Sequence, residues 1–277
     1  DHVGGLPGAY QCATADKTLC PVKSYDSKAF QDFAKYAQQK GGGITVPTVG
    51  SKYDLGSADV TILGVNSAKD VNNTSIVLRI DYGKTSFLFT GDAERDAEQK
   101  ILNSNQNLPA TVLKIGHHGS DTSTTYPFLR EVMPKYAVIS VGKDNSYGHP
   151  TEALLSRLRD ADVKTFRTDM QGDIYCTSDG KNVSFSVSKN KDANVFGNIG
   201  SNSTSKPAST PSTSSTVKPA AKEETIATEN KQSTMVWVPK TGSKYHSKSS
   251  CSNMKNPSQV PIEQAIANGY TACKKCY

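Results

Sequence analysis

All five histidines of this chain stand beside residues that suit a metal ion. His2 follows Asp1, and His117 and His118 lie between Gly116 and Gly119. His149 sits in Tyr147-Gly148-His149-Pro150, and His246 heads a tail carrying Cys251, Cys273 and Cys276. Imidazole is the commonest metal ligand and the usual proton carrier near neutral pH. Unrelated histidines would fall partly on helix surfaces or in a core, yet here each has a loop-like setting beside Asp, Gly or Cys. The distribution points to metal-dependent hydrolysis in the larger part of the chain and a separate zinc site in the tail.

A carboxylate completes the set. Asp92 follows Phe87-Leu88-Phe89-Thr90-Gly91, a sequence that reads as a buried strand ending in a glycine turn. The His117-His118 pair follows Val112-Leu113-Lys114-Ile115, and His149 follows Val138-Ile139-Ser140-Val141 by one loop. Loops after strands are where layered α/β proteins gather ligands. Neutral imidazoles bind a divalent ion, a carboxylate bridges or neutralises, and the ion acidifies a bound water. A paired-ion site also clamps both oxygens of a phosphodiester displacement.

The elements that must position these residues follow from periodicity. Helices are expected over Ser27–Lys40, Glu94–Asn103, Tyr126–Met133 and Thr151–Asp160, the last with Thr151 as its N-cap. Strands are expected over Ala58–Val65, Ala110–Ile115, Tyr136–Val141 and Val163–Arg167, with hairpins Ser75–Thr90 and Asp173–Val187 turning at glycines. This mixture is a layered α/β sandwich. Residues 190–233 are rich in Ser, Thr, Pro, Asn, Lys and Ala. They offer too little apolar surface to offset ordering entropy and read as a disordered linker.

Four motifs together carry a family resemblance. Asp1-His2-Val3-Gly4-Gly5-Leu6 resembles the end of the His-x-His-x-Asp-His-x-Gly-Gly-Leu signature of the metallo-β-lactamase fold. Thr90-Gly91-Asp92-Ala93-Glu94, Gly116-His117-His118-Gly119-Ser120 and Tyr147-Gly148-His149-Pro150 add to it. With Asn72-Asn73-Thr74-Ser75-Ile76-Val77-Leu78 they resemble the metallo-β-lactamase-like domain of the ComEC competence family. The resemblance covers nearly all of residues 1–189. It implies an αββα sandwich and a nuclease role on DNA during uptake. It implies Asp1 and His2 as ligands of one ion, Asp92 as a bridge between two, and one of His117 and His118 as a further ligand. The other of that pair would contact substrate. Asp1, His118 and His149 are the expected catalytic residues, with His149 a proton donor or phosphate contact. Asn72 or Asn73 either lines the site or forms a turn that opens a strand.

Two departures shape the expectations. The sequence opens at the Asp of the signature, so the two earlier histidines are not in it. A chain of this extent is expected to lack the opening strands of the first sheet, to be incomplete at the first ion, and to be inactive and poorly folded alone. Second, no histidine lies between His2 and His117, where the fold commonly has one more ligand. Zn or Mn is the expected divalent metal.

The tail, residues 234–277, arranges His246, Cys251, Cys273 and Cys276 as H-x4-C and C-x2-C. Three thiolates and one imidazole make a closed tetrahedral zinc site, and Lys274 and Lys275 favour the thiolates electrostatically. Val236-Trp237-Val238-Pro239 reads as a strand and Ile262–Asn268 as a short helix. A unit this small needs a metal or disulfides to fold. It is similar to the small metal-binding domain of the Ada DNA-repair family, with His246 where that family has a cysteine, so a structural zinc is implied and a methyl-acceptor role is not.

Charge separates the parts. Through Lys189 the chain carries 21 basic and 21 acidic residues, whereas residues 234–277 carry six lysines against Glu263 alone. A polyanion would feel the tail first. No stretch reaches the roughly 18–20 apolar residues of a membrane-spanning helix. A bridge between Cys12 and Cys20 would suit export, and an extracellular or cell-surface setting is expected. The function these features support is a phosphodiesterase or nuclease acting on DNA. A hydrolase of small esters, lactones or lactams, or a non-catalytic DNA- or surface-binding protein, are the alternatives.

Overall fold

The computed structural model describes residues 2–197, 235–239, 244–251, 257–262, 265, 270–273 and 276. The chain divides into two compact units, Asp1–Phe196 and Gly197–Tyr277. The helices of the first unit are α1 (Leu6–Cys12), α2 (Lys28–Lys40), α3 (Arg95–Leu102), α4 (Tyr126–Val132), α5 (Glu152–Asp160) and α6 (Thr168–Gln171). Its short strands β1 (Thr18–Leu19) and β2 (Ile44–Thr45) form a parallel pair. Its main sheet orders β3 (Lys52–Leu55), β4 (Ala58–Gly64), β5 (Val77–Tyr82), β6 (Thr85–Phe89), β7 (Val112–Lys114), β8 (Tyr136–Ile139) and β9 (Lys164–Arg167) side by side in chain order. A separate hairpin pairs β10 (Ile174–Ser178) with β11 (Val183–Val187).

The sheet changes character at β6. From β3 to β6 neighbours run antiparallel, and from β6 to β9 they run parallel. Strands β6, β7 and β8 therefore end at the same edge, and the loops after them meet there. This is the physical reason that Asp92, the His117-His118 pair and His149, far apart in sequence, share one rim.

One face of the sheet is sealed by α3, α4 and α5. Leu88, Leu113, Ile115, Ala137 and Ile139 pack with Ala97, Ile101, Phe128, Leu129, Leu154 and Leu158, all buried. Each leucine, isoleucine or phenylalanine among them contributes about 1.5–3 kcal/mol when fully withdrawn from water. The hairpin reaches the main sheet through Phe185, whose ring stacks on Phe166 at 4.3 Å between centroids and lies 4.9 Å from Tyr136. A smaller cluster of Cys20, Phe30, Phe33 and Ala37 is built mainly on α2, with Val3, Tyr10 and Ile44 packed against it. Helices layered on a mixed sheet agree with the layered α/β architecture expected from the sequence.

Caps fix the helix starts. Ser27 Oγ accepts from the Phe30 amide at 3.2 Å, and Thr151 Oγ1 accepts from the Leu154 amide at 3.4 Å. Periodicity misses the smallest pieces: β1, β2, β3 and the single turn of α6. Each is too short to show a repeat, and β3 is an edge strand whose Lys52, Asp54 and Leu55 are exposed.

One question the sequence left open is answered here and one reading is corrected. Cys12 and Cys20 do not bridge: both are free thiols, Cys12 exposed and Cys20 buried in the α2 cluster, where burial pushes its thiol up. The stretch assigned to the start of the linker is also partly packed. Phe196 lies against the main core, Arg159 sits over its ring at 5.7 Å, and Val195 O accepts from Arg167 Nη1 at 2.8 Å. The first unit thus continues to Phe196. Residues 198–233 of the expected linker lie outside the described residues.

In the second unit β12 (Met235–Val238) pairs antiparallel with β14 (Ser258–Pro261), and β13 (Lys244–Tyr245) pairs parallel with β15 (Thr271–Ala272). His246 bridges back to Trp237 through two backbone hydrogen bonds of 2.8 Å. Val236, Val238, Tyr245 and Ala265 form its core. Of the helix expected over Ile262–Asn268, residues 262 and 265 are helical and the others lie outside the described residues.

Candidate metal centre

Asp92 leaves the end of β6 through a turn that only glycine fits. Gly91 has φ +55, and a Cβ there would stand 2.9 Å from Ser75 Cβ. The close approach lets Ser75 Oγ accept from the Asp92 amide at 3.0 Å, which fixes the carboxylate. Asp92 Oδ2 then accepts from His2 Nε2 at 2.9 Å, and Oδ1 lies 3.7 Å from His118 Nε2. Burial works to raise the Asp92 carboxyl. The His2 hydrogen bond and the charges of His2, His118 and His117 outweigh it and hold the group below its ordinary value.

The two adjacent histidines are held in opposite senses. His117 and His118 both adopt left-handed backbone, with φ 46 and 52. Non-glycine residues in that region cost energy and persist where their surroundings over-determine them. His118 Nδ1 donates to the Ser140 carbonyl at 2.8 Å, which leaves Nε2 facing Asp92. His117 Nδ1 instead donates to Glu94 Oε1 at 3.0 Å, and its ring lies 5.5 Å from that of His149. Gly119, with φ +92, passes beneath Pro150 so closely that a Cβ would meet Pro150 Cβ at 2.5 Å. This contact locks the histidine turn to the His149 loop.

His2, Asp92 and His118 each offer a ligand atom within 4.8 Å of the others. Two imidazoles and a carboxylate are a donor set for zinc or manganese. Asp92 Oδ1 is buried and accepts no hydrogen bond among the described residues. A buried acceptor of this kind calls for a positive partner, so these residues fit a divalent ion. Asp1, expected as a ligand and catalytic residue, lies outside the described residues. His117 and His149 stand on the rim beside the cluster rather than in it. Burial, then the charges of His117 and His118, hold His149 below the usual histidine range.

Asn73 does not line the site. It is buried, and its Oδ1 accepts from the amides of Glu94 at 2.9 Å and Ala97 at 3.2 Å, capping α3 from a distant turn. Asn72 stands nearer, with Nδ2 donating to Glu94 Oε1 at 3.1 Å.

Two residues escape a reading of sequence alone. Glu94 Oε1 collects Asn72, Thr122 Oγ1 and His117, and so orients the His117 ring. Its place two residues after Asp92 was the available signal, but it read as the opening of a helix. Lys114, at the end of β7, is driven by burial down to about 8 despite the pull of Asp92. Its position inside a hydrophobic strand was the signal for that.

In the tail, His246, Cys251, Cys273 and Cys276 also bring their ligand atoms within 4.8 Å of one another. Cys251 and Cys273 sulfurs stand 3.8 Å apart, and Cys276 Sγ is 3.7 Å from His246 Nδ1. His246 and Cys273 are buried. Three thiols and one imidazole converging without a carboxylate fit a closed tetrahedral zinc site.

Comparison with known proteins agrees with this geometry. Residues 1–143 match the family described as the metallo-beta-lactamase superfamily. ComE operon protein 3 of Bacillus subtilis is 41% identical over 116 residues, which are 42% of this chain and 15% of that protein. Competence protein ComA of Neisseria gonorrhoeae is 44% identical over 104 residues, 37% of this chain and 15% of that one. Recombination protein 2 of Haemophilus influenzae is 41% identical over 87 residues, 31% of this chain and 11% of that one. The chain thus spans about a seventh of the length of the first two relatives. The solved structure of CmlA, a diiron beta-hydroxylase from Streptomyces venezuelae, aligns at a TM-score of 0.36 with 15% identity, over 55% of this chain and 38% of that one. The family match over residues 1–143 makes this chain a member of the metallo-beta-lactamase superfamily, and its curated relatives are ComEC-type competence proteins.

Proposed function

We propose that the first unit is a metal-dependent phosphodiesterase acting on DNA in an uptake-like setting. The observation that carries this reading is the convergence of His2, Asp92 and His118 on one point, with His117 and His149 on the adjoining rim. A divalent ion held by the three residues, with Asp1 the further ligand that the family resemblance implies, would supply Lewis acidity and acidify a water. The chain's own residues do the rest. Asp92, anchored by Ser75, and His118, anchored by Ser140, give the ion a fixed seat. His117, aimed by Glu94, contacts a phosphoryl oxygen. His149 stands beside it to hydrogen-bond the same group or pass a proton to the leaving oxygen. Lys114 adds a buried amine whose charge favours an anionic substrate.

The second unit would hold a structural zinc through His246, Cys251, Cys273 and Cys276. Its lysines draw nucleic acid toward the first unit, and residues 198–233 tether the two. An extracellular or cell-surface location suits this role, and no helix among the described residues is long and apolar enough to cross a membrane.

The test is cleavage of labelled DNA by the full-length protein loaded with Mn2+ or Zn2+. Cutting that is abolished by Asp92→Ala supports the reading. Turnover of small esters, lactones or lactams without DNA cutting would replace it, and DNA binding without any turnover would overturn catalysis altogether.

A further inference from the structure

Beside the candidate metal cluster lies a cavity of about 420 Å3, lined by His118, Tyr147 and His149 among others. The tyrosine is unusual in its setting: the residue is 82% exposed, yet its ring lies nearly parallel to that of His149, at 23° and 5.8 Å between centroids. An exposed aromatic ring forgoes the burial that normally accounts for such a residue.

Its loop is nevertheless fixed. Asn145 Oδ1 accepts from the amides of Tyr147 at 3.2 Å and His149 at 3.1 Å, and Nδ2 donates to the carbonyls of Gly142 at 3.0 Å and His149 at 2.7 Å. A single side chain therefore sets the backbone that presents both rings. The opposite wall is open at Gly142, where an added Cβ would meet nothing within 4 Å.

Several polar groups of the cavity are already committed. Asn145 uses both its donors and its oxygen within its own loop. Thr168 Oγ1 accepts from the Val141 amide and donates to the Val141 carbonyl, both at 2.8 Å. The Ser140 carbonyl is taken by His118. These groups are occupied and do not read the edge of a base, whereas an aromatic face accepts any base. The space is in the range that holds a small-molecule ligand.

We infer that Tyr147, backed by His149, is a stacking platform for one nucleobase flanking the phosphodiester at His118 and Asp92, and that it holds single-stranded DNA with little regard to sequence. A base inside a duplex is already stacked on its neighbours and cannot lie on this ring, so the platform favours unpaired strands. The inference rests on the phosphodiesterase reading and names the form of substrate that the site takes.

The experiment uses full-length protein carrying Asp92→Asn, so that DNA stays intact. The probe is a single-stranded oligothymidylate with one 2-aminopurine, followed by its fluorescence. Stacking is worth enough per base that Tyr147→Ala should weaken binding about 5- to 100-fold and relieve the 2-aminopurine quenching. Tyr147→Phe should retain both. On an oligonucleotide of abasic sites, the parent and Tyr147→Ala should bind alike. Equal affinity of the parent and Tyr147→Ala for the base-containing strand, or an equal loss on the abasic strand, overturns the inference. If the protein without Asp92→Asn cuts DNA but ignores Tyr147, only the platform fails. If it neither binds nor cuts DNA, the phosphodiesterase reading fails with it.

Discussion

His117 and His118 are chain neighbours with the same unusual backbone, yet they are held by different partners. His118 gives Nδ1 to a carbonyl at the end of β8 and turns Nε2 toward Asp92, the arrangement by which proteins fix a ligand imidazole. His117 gives Nδ1 to Glu94 and turns toward His149. The sequence shows that the pair matters but not which member binds. The difference lies in partners 22 and 23 residues away, which no local pattern records. Glu94 is hidden for the same reason. We expect His118→Asn to lose the metal of the first unit. We expect His117→Asn to keep the metal and lower kcat about 100-fold, as removal of a positioned acid–base or substrate contact does. Metal content and turnover measured on both variants check the assignment, and the reverse pattern would exchange the roles.

The long periodic elements were readable. Lys28–Lys40 and Glu152–Asp160 follow their helical spacing and start at the Ser27 and Thr151 caps. The joints between elements were not. Asn73 sits in a single turn before β5 yet caps α3 by accepting two amides, while Asp70 in turn holds Asn73 through its backbone at 2.8 Å and its side chain at 2.8 Å. This relay ties the Asn72–Thr74 turn to the helix that follows Asp92. Such a cap is made by folding rather than by adjacency, so it leaves no local signature. Asn73→Ala should cost about 2 kcal/mol, the loss of a cap that leaves buried amides unpaired, read as a lower urea midpoint. The hydrogen bonds from Asn73 hold the Asp70 carboxyl below its ordinary value. A depressed carboxyl favours the fold above the ordinary aspartate range, about 3.9, and that contribution fades as pH falls through the folded value. Acid unfolding should therefore begin at higher pH in Asp70→Asn than in the parent protein. An unchanged acid midpoint would remove Asp70 from the relay.

Charge and metal chemistry divide the chain between its two units. The first has balanced charge through Lys189, and residues 234–277 carry six lysines against one glutamate. The charge division, and the residues that are candidates for each ligand set, could be read from composition and spacing. The extension of packing to Phe196 could not, because one aromatic residue in a polar stretch gives no periodic signal. If the tail concentrates DNA, replacing its lysines with glutamine should flatten the dependence of affinity on salt, since each phosphate contact releases counterions. Affinities at several salt concentrations give the slope, and an unchanged slope would leave the tail with its zinc and no part in DNA binding.

Everything proposed for the first unit requires that side chains as distant as His2, Asp92 and His118 hold an ion together. Elemental analysis of the full-length protein, purified without chelators, measures this. We expect one zinc that is lost in the double variant Cys273→Ser, Cys276→Ser, and at least one further divalent ion that survives there. The further ion should disappear in Asp92→Asn with His118→Asn. A metal content untouched by the Asp92 and His118 substitutions, or accounted for wholly by the tail, would contradict the metal centre and the hydrolysis built on it.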